Sequence, residues 1–139
     1  MYARPVDPWQ PLLDALGQLK DGWPGSAWEW DGRFLSVASS FASELEPTAR
    51  ARAILAFPRG WTARSLELAP PALRALADKT GGLRAGQRLL AGSETTASTL
   101  FGLWWPWSGG AKITLRIGIL DLGVADDPLP RVRELFGVR

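Results

Sequence analysis

A chain of 139 residues, 46% of them hydrophobic and 22% charged, is long enough to bury a core and lies far from the composition of disordered proteins. The formal net charge is only +2, and no run reaches the five to eight cations, roughly, that mark a nucleic-acid patch. The chain contains no histidine, cysteine or asparagine. Those absences exclude Ser-His-Asp and Cys-His relays, His or Cys zinc ligands and N-glycosylation within this sequence.

Composition also predicts where the protein works. Thirteen of the 16 cations are arginine, and alanine, glycine and leucine are abundant, which is typical of a high-GC bacterial coding bias. The first residues, MYARPVDPW, have no apolar segment of the kind found in signal peptides. No run approaches the ~20 apolar residues of a membrane span. We therefore expect a bacterial cytoplasmic protein with a single domain over residues 1–139 and no membrane contact.

The first predicted element is a helix over residues 8–20. Asp7 is a suitable N-cap and Pro8 suits the first helical position. Helical spacing of the apolar residues predicts one buried face, made of Trp9, Leu12, Leu13, Leu16 and Leu19.

Residues 26–46 fit two structures. Asp31-Gly32 is a strong turn signal and predicts a hairpin. The same Asp31 also fits the N-cap of a helix, whose apolar residues would be Phe34, Val37, Ala38, Phe41 and Leu45. The two alternatives stay open, and Pro47 is expected to end either one.

The middle of the chain predicts a mixture of short elements. Residues 50–57 alternate and favour a strand, although alanine and arginine also favour a helix. A turn at 58–60 and a weaker strand over 62–68 follow. Pro70-Pro71 opens a helix that buries Leu73, Leu76 and Ala77 and stops at Gly81-Gly82. Residues 83–91 predict one more strand and residues 92–99 a loop.

Residues 100–122 carry the clearest pattern, a hairpin whose turn is Gly109-Gly110. This turn, or a four-residue loop over 108–111, places Trp104 opposite Leu115 and Trp105 opposite Thr114. Because opposed residues share a face, one side is apolar and the other is aromatic and cationic. The cationic side carries Trp105, Trp107, Lys112, Thr114 and Arg116.

That aromatic and cationic side has two interpretations. In the first, helices cover it and the cations extend along the indoles to its rim. In the second, it is exposed and grips a partner, since Trp and Arg are prominent hot-spot residues. Pro106 has no N–H to donate, so its strand is expected to be an edge strand or to carry a bulge there.

Signals for chemistry are weak. Residues 81–88 (GGLRAGQR) imitate the start of a phosphate-binding loop, but Gln87-Arg88 replaces its Lys-Ser/Thr pair, so a helix stop and a turn explain them better. A final helix is predicted from Asp127-Pro128, with Leu129, Val132, Leu135 and Phe136 on one side. The carboxylates in or near loops are Asp21, Asp31, Glu94, Asp121, Asp126 and Asp127. Nothing in their spacing brings two acids together.

The sequence thus predicts an α+β domain with an antiparallel or mixed sheet of about four to six strands and N-terminal, middle and C-terminal helices packed on it. The expected function is non-catalytic, with no cofactor and no metal: an adaptor, accessory subunit, immunity or chaperone-like protein. Its partner would be another protein, such as a larger one encoded nearby, or a second copy. The predicted binding residues are Trp105, Trp107, Lys112 and Arg116. The alternatives are a domain that binds a small ligand, carbohydrate or single-stranded nucleic acid, and then a carboxylate enzyme; the low charge argues against nucleic acid.

Overall fold

The computed structural model describes residue 7 and residues 9–93, 98–121 and 127–138. Over these residues the chain forms helices α1 (Gln10–Lys20), α2 (Glu46–Ala56), α3 (Pro71–Lys79) and α4 (Leu129–Leu135). Its strands are β1 (Glu29–Asp31), β2 (Ser36–Ala42), β3 (Arg59–Trp61), β4 (Arg88–Ala91), β5 (Ser98–Pro106) and β6 (Lys112–Asp121). The predicted α+β class is confirmed.

All six strands join one antiparallel sheet in the order β1-β2-β6-β5-β4-β3. The β5–β6 hairpin therefore lies at the centre, and the two edges are the three-residue strands β1 and β3. Successive side chains point to opposite faces. We call the face that carries Trp104 the front face and the face that carries Trp105 the back face.

The front face holds the larger core. Helices α1, α2 and α4 contribute to it, and α1 contacts both of the others. The predicted apolar stripe of α1 is confirmed, because Trp9, Leu12, Leu16 and Leu19 are buried there and Leu13 is partly buried. The helix begins at Gln10, later than predicted, and its N-cap is Trp9, so the expectation of Asp7 as the N-cap is wrong. The Asp7 carboxylate instead accepts a hydrogen bond from the Trp9 N–H at 3.0 Å, just before the helix. Val132 and Phe136 of the predicted C-terminal helix are buried in the same core.

The back face holds a smaller core under α3. Leu73 and Ala77 of the helix pack against Leu89 and Leu103 of the strands. The helix begins at Pro71 and ends at Lys79, and the Gly82 N–H closes its last turn on the Ala77 carbonyl at 2.8 Å. The predicted helix and its glycine stop are confirmed.

The predicted strand over 50–57 is wrong, since those residues form most of α2. Its buried side chains are Ala49, Ala53 and Ala56, which follow helical spacing and are small enough for α2 to approach α1 closely. Pro47 does not end an element but lies in the first turn of α2, where its missing N–H has no cost. The expected strand over 62–68 is also wrong: those residues form a turn and a 3₁₀ segment, Leu66–Leu68, and the strand is the preceding β3.

Residues 26–46 adopt the hairpin and not the helix. Strands β1 and β2 pair from Glu29–Ala38 to Asp31–Ser36, and residues 32–35 connect them. The Asp31 carboxylate accepts a hydrogen bond from the Arg33 N–H at 3.1 Å and so shapes the turn. Leu35 takes a positive φ of 48° to complete it.

Pro106 belongs to an internal strand, so the expectation of an edge strand or bulge is wrong. Its ring is tolerated because β4 pairing ends at Arg88 and Trp104, two residues earlier. The nitrogen of Pro106 faces that vacated side, since the neighbouring Trp107 N–H points to Lys112 of β6. The loop expected over 92–99 falls partly on 94–97, outside the described residues, and residues 98 and 99 already belong to β5. No helix among the described residues has the length and apolar character to cross a bilayer.

Candidate functional site

The β5–β6 hairpin has the predicted register. Trp104 pairs with Leu115, Trp105 with Thr114 and Pro106 with Ile113. The Trp107 N–H bonds the Lys112 carbonyl at 2.8 Å, which leaves residues 108–111 as a four-residue loop. Gly109 and Gly110 both have positive φ, 91° and 75°, so the Gly-Gly pair supplies the backbone that this turn requires. The four predicted binding residues therefore do lie on one face of the sheet.

The structure divides those four residues into two pairs. The inner pair, Trp105 and Arg116, lies toward the middle of the back face and is half-buried. The Arg116 guanidinium lies 5.1 Å from the Trp105 ring and 5.3 Å from the ring of Phe34. Phe34 meets Trp105 edge-to-face at 5.1 Å. Phe34 of the β1–β2 connection thus packs over the inner pair, and Trp105 also contacts the back-face core under α3.

An ion pair fixes the inner pair in place. Arg116 Nε donates to Asp31 Oδ2 at 2.8 Å, and both side chains are less than a quarter exposed. Burial by itself would raise the pKa of Asp31. The hydrogen bond and charge of Arg116, with the N–H and charge of Arg33, outweigh burial and hold that pKa below its usual value. Asp31 is therefore kept ionised and paired, which is the reverse of what a general acid requires.

The outer pair, Trp107 and Lys112, stands at the hairpin end. Trp107 is 51% exposed. Few other large apolar side chains among the described residues are exposed. The Lys112 ammonium lies 5.1 Å from its ring centroid, within the range of a cation–π contact. An exposed indole and an exposed cation are therefore presented side by side.

Hydrogen bonds orient the exposed indole. Trp107 Nε1 donates to the Thr114 hydroxyl at 2.7 Å. That hydroxyl shares a second hydrogen bond, also 2.7 Å, with the hydroxyl of Ser40 on the neighbouring strand β2. Thr114 is buried and Ser40 is half-buried, so the two hydroxyls are largely shielded from water although the indole is half-exposed. These hydrogen bonds hold Trp107 in one orientation.

The sequence pattern placed the four residues on one face but did not reveal the side chains that hold them. Asp31, Phe34 and Ser40 come from the first hairpin, whose structure was ambiguous in the sequence. An Asp-Gly turn with an aromatic residue three positions later was the available signal. The register of β2 on β6, with Ser40 opposite Thr114 and Ala38 opposite Arg116, is what brings the two hairpins together.

Other chemical candidates are not assembled over the described residues. Residues 81–88 form the predicted helix stop and turn, in which the Arg84 N–H bonds Gln87 Oε1 at 2.9 Å. Asp127 accepts the Leu129 N–H at 2.9 Å and so serves as a cap for α4. No three His, Cys, Asp or Glu side chains within the described ranges lie close enough to hold a metal ion. Glu94 and Asp126 and the side chain of Asp121 are outside those ranges.

Comparison of this chain with protein-family models, with curated proteins and with solved structures found no match in any of the three.

Proposed function

We propose that this protein is a non-catalytic bacterial interaction module, cytoplasmic in location, that binds another protein through the back face of its central hairpin. The role fits an adaptor, an accessory subunit, an immunity protein or a chaperone-like protein. The observation that carries the proposal is Trp107, half-exposed yet oriented by the Thr114 and Ser40 hydroxyls. A large aromatic side chain that is already ordered loses little conformational entropy on binding.

The neighbours of Trp107 support a contact surface of mixed character. Lys112 adds an exposed cation beside the indole, and Arg33 adds another above the Phe34 ring at 4.4 Å. Trp105 and Arg116 lie between them as the half-buried floor. Aromatic and Arg-rich centres are typical of protein interfaces, and the surplus of cations favours a partner with acidic groups around an apolar patch.

The same features weigh against the other classes. The sequence lacks the residues of nucleophilic relays, and Asp31, the acid at this surface, is committed to Arg116. A carbohydrate-binding surface usually carries amide and acidic hydrogen-bonding groups beside the indoles. Because the sequence contains no asparagine, it is poor in such amides. A single-stranded nucleic acid could stack on Trp107, but the net charge of +2 is low for such a partner. An affinity that falls steeply with salt, through counterion release, would indicate nucleic acid.

The test is co-purification with the protein encoded beside this one in its genome, followed by titration of the purified pair. The double variant Trp107→Ala/Lys112→Gln should weaken binding about tenfold or more, the cost of losing a hot spot. Leu68→Ala/Lys79→Gln is the matched control, because it removes an exposed apolar residue and a lysine elsewhere on the surface. Equal losses in the two variants, or none in either, would contradict the proposal. Sedimentation of the purified chain distinguishes self-association from a separate partner.

A further inference from the structure

A groove lies on the front face, between α2, the edge strand β3 and its neighbour β4. Its volume is about 490 Å³. Small-molecule sites span ~300–1,000 Å³, so the volume suits a compact organic ligand. The floor is apolar and consists of Phe57, Leu90 and Trp104. Ile54 borders it and is 64% exposed, which leaves an apolar lip in water.

Two glycines shape the floor of this groove. Gly60 and Gly102 pair with Leu90 from either side, so the three residues form a row across β3, β4 and β5. A Cβ on Gly60 would lie 3.0 Å from the Leu90 side chain, and one on Gly102 would lie 3.1 Å from the Phe57 ring. The missing side chains therefore let Leu90 and Phe57 pack closely onto the strand backbones, where they form the apolar floor.

The charge of the lining is one-sided. Arg50, Arg59 and Arg88 line the groove, and no carboxylate of the described residues does. Arg59 is engaged, since its Nε and Nη2 donate to the Gly92 carbonyl at 3.2 and 2.7 Å. Arg50 and Arg88 form no ion pair with any carboxylate that the structure describes. Glu46 lines an adjoining depression of about 330 Å³ that also contains Arg88, but not the groove itself.

We infer that this groove is a binding site for a small carboxylate with an apolar body. The apolar part packs on Trp104, Leu90 and Phe57, and the carboxylate takes hydrogen bonds and charge from Arg88 and Arg50. A guanidinium matches a carboxylate in a two-point geometry, and here it does so beside a low-dielectric floor. This site is separate from the proposed protein-binding surface, because Trp104 and Trp107 belong to opposite faces of the sheet.

The experiment compares two probes with the same apolar ring system. 2-Naphthoate carries a carboxylate, and 2-naphthylmethylammonium carries a cation. Binding is followed by amide chemical shifts of the full chain in ¹H–¹⁵N spectra. We expect naphthoate to shift the amides of Gly60, Arg88 and Leu90, and to bind at least about tenfold tighter than the ammonium probe, which is ~1.4 kcal/mol.

Variants assign the effect to the groove. Arg50→Gln/Arg88→Gln should remove most of the preference for the anion, whereas Arg74→Gln, an exposed arginine on α3 across the sheet, should leave it intact. Ala51→Trp, at an exposed position that lines the groove, should block both probes. The inference is overturned if naphthoate does not bind, if both probes bind equally, or if its shifts centre on the hairpin end at Trp107.

Discussion

The ring of Phe101 lies against the backbone of Gly118, its direct partner in the register of β5 and β6. A Cβ on Gly118 would stand 2.7 Å from Phe101 Cε1 and nearer still to Cζ. The ring therefore occupies the space that a side chain at 118 would need. Phe101 belongs to the back-face core under α3, so the glycine lets that core extend onto β6.

Gly118→Ala should destabilise the protein by on the order of 1–3 kcal/mol, because a buried ring must move to admit one methyl group. Gly17→Ala is the matched control: Gly17 lies inside α1, and a Cβ added there would meet no atom within 4 Å. The control change should therefore stabilise the protein by about 0.5–1 kcal/mol. Urea unfolding measures both. Effects of the same sign in the two variants would contradict the close packing of Phe101 on Gly118.

Thr114→Val should free the Trp107 indole and lower the free energy of unfolding by about 1–2 kcal/mol, since two hydrogen bonds depend on this hydroxyl. Ser36→Ala is the control, because the buried Ser36 hydroxyl has no hydrogen-bond partner among the described residues and its removal should cost little. ¹⁹F spectra of 5-fluorotryptophan protein, with the resonance assigned through Trp107→Phe, report the indole directly. An unchanged Trp107 resonance in Thr114→Val would disprove the orienting role of Thr114.

The Asp31–Arg116 pair should make the free energy of unfolding depend on pH. The pKa of Asp31 is lowered in the folded state, so its contribution is present above the unfolded pKa of ~3.9 and is lost as pH falls through the folded value. Asp31→Asn should therefore be less stable than the parent near neutral pH, and the two should converge in strong acid. A double-mutant cycle of Asp31→Asn and Arg116→Gln measures the interaction energy between the two side chains. That energy should fall to zero over the same acidic pH range. A coupling energy that does not change with pH would show that the ion pair is not its source.

Trp104 and Trp105 are consecutive but should tolerate phenylalanine differently. Trp104 is 2% exposed in the front-face core, so Trp104→Phe leaves a cavity and should cost on the order of 1–3 kcal/mol. Trp105 Nε1 is buried and has no hydrogen-bond partner within the part of the chain that the structure describes. Trp105→Phe removes that unsatisfied group, which offsets part of the lost contact area and should make the net cost clearly smaller. Thermal unfolding of the two variants would contradict this if the order were reversed.

The central hairpin could be predicted in detail because two independent signals agreed on it. Alternation from Ile113 to Ile119 fixed the faces, and Gly109-Gly110 fixed the turn, so the register followed. Segment 50–57 could not be assigned correctly because alanine alternates with arginine over residues 50–53, as the residues of a strand would, while both residue types also favour a helix. Tertiary packing of α2 on α1 decided the outcome.

The sequence predicts which residues share the candidate surface, but it does not predict how exposed each side chain is. Alternation placed Trp105 and Trp107 on one side, but their different burial depends on Phe34, which arrives from a distant segment through the pairing of β2 with β6. The groove at Arg50 and Arg88 left no sequence signal, because its lining combines α2 and β3 with β4 and β5, which follow much later in the sequence.

The short edges of the sheet limit how this protein can assemble. Strands β1 and β3 each offer three residues of backbone to a newcomer, and β1 presents Glu29 and Asp31 along its length. A strand from another molecule that paired with either edge would gain few hydrogen bonds. The short edges therefore disfavour aggregation by strand addition. Under the proposed function, contacts with another protein would therefore depend on side chains of the sheet faces and not on backbone pairing.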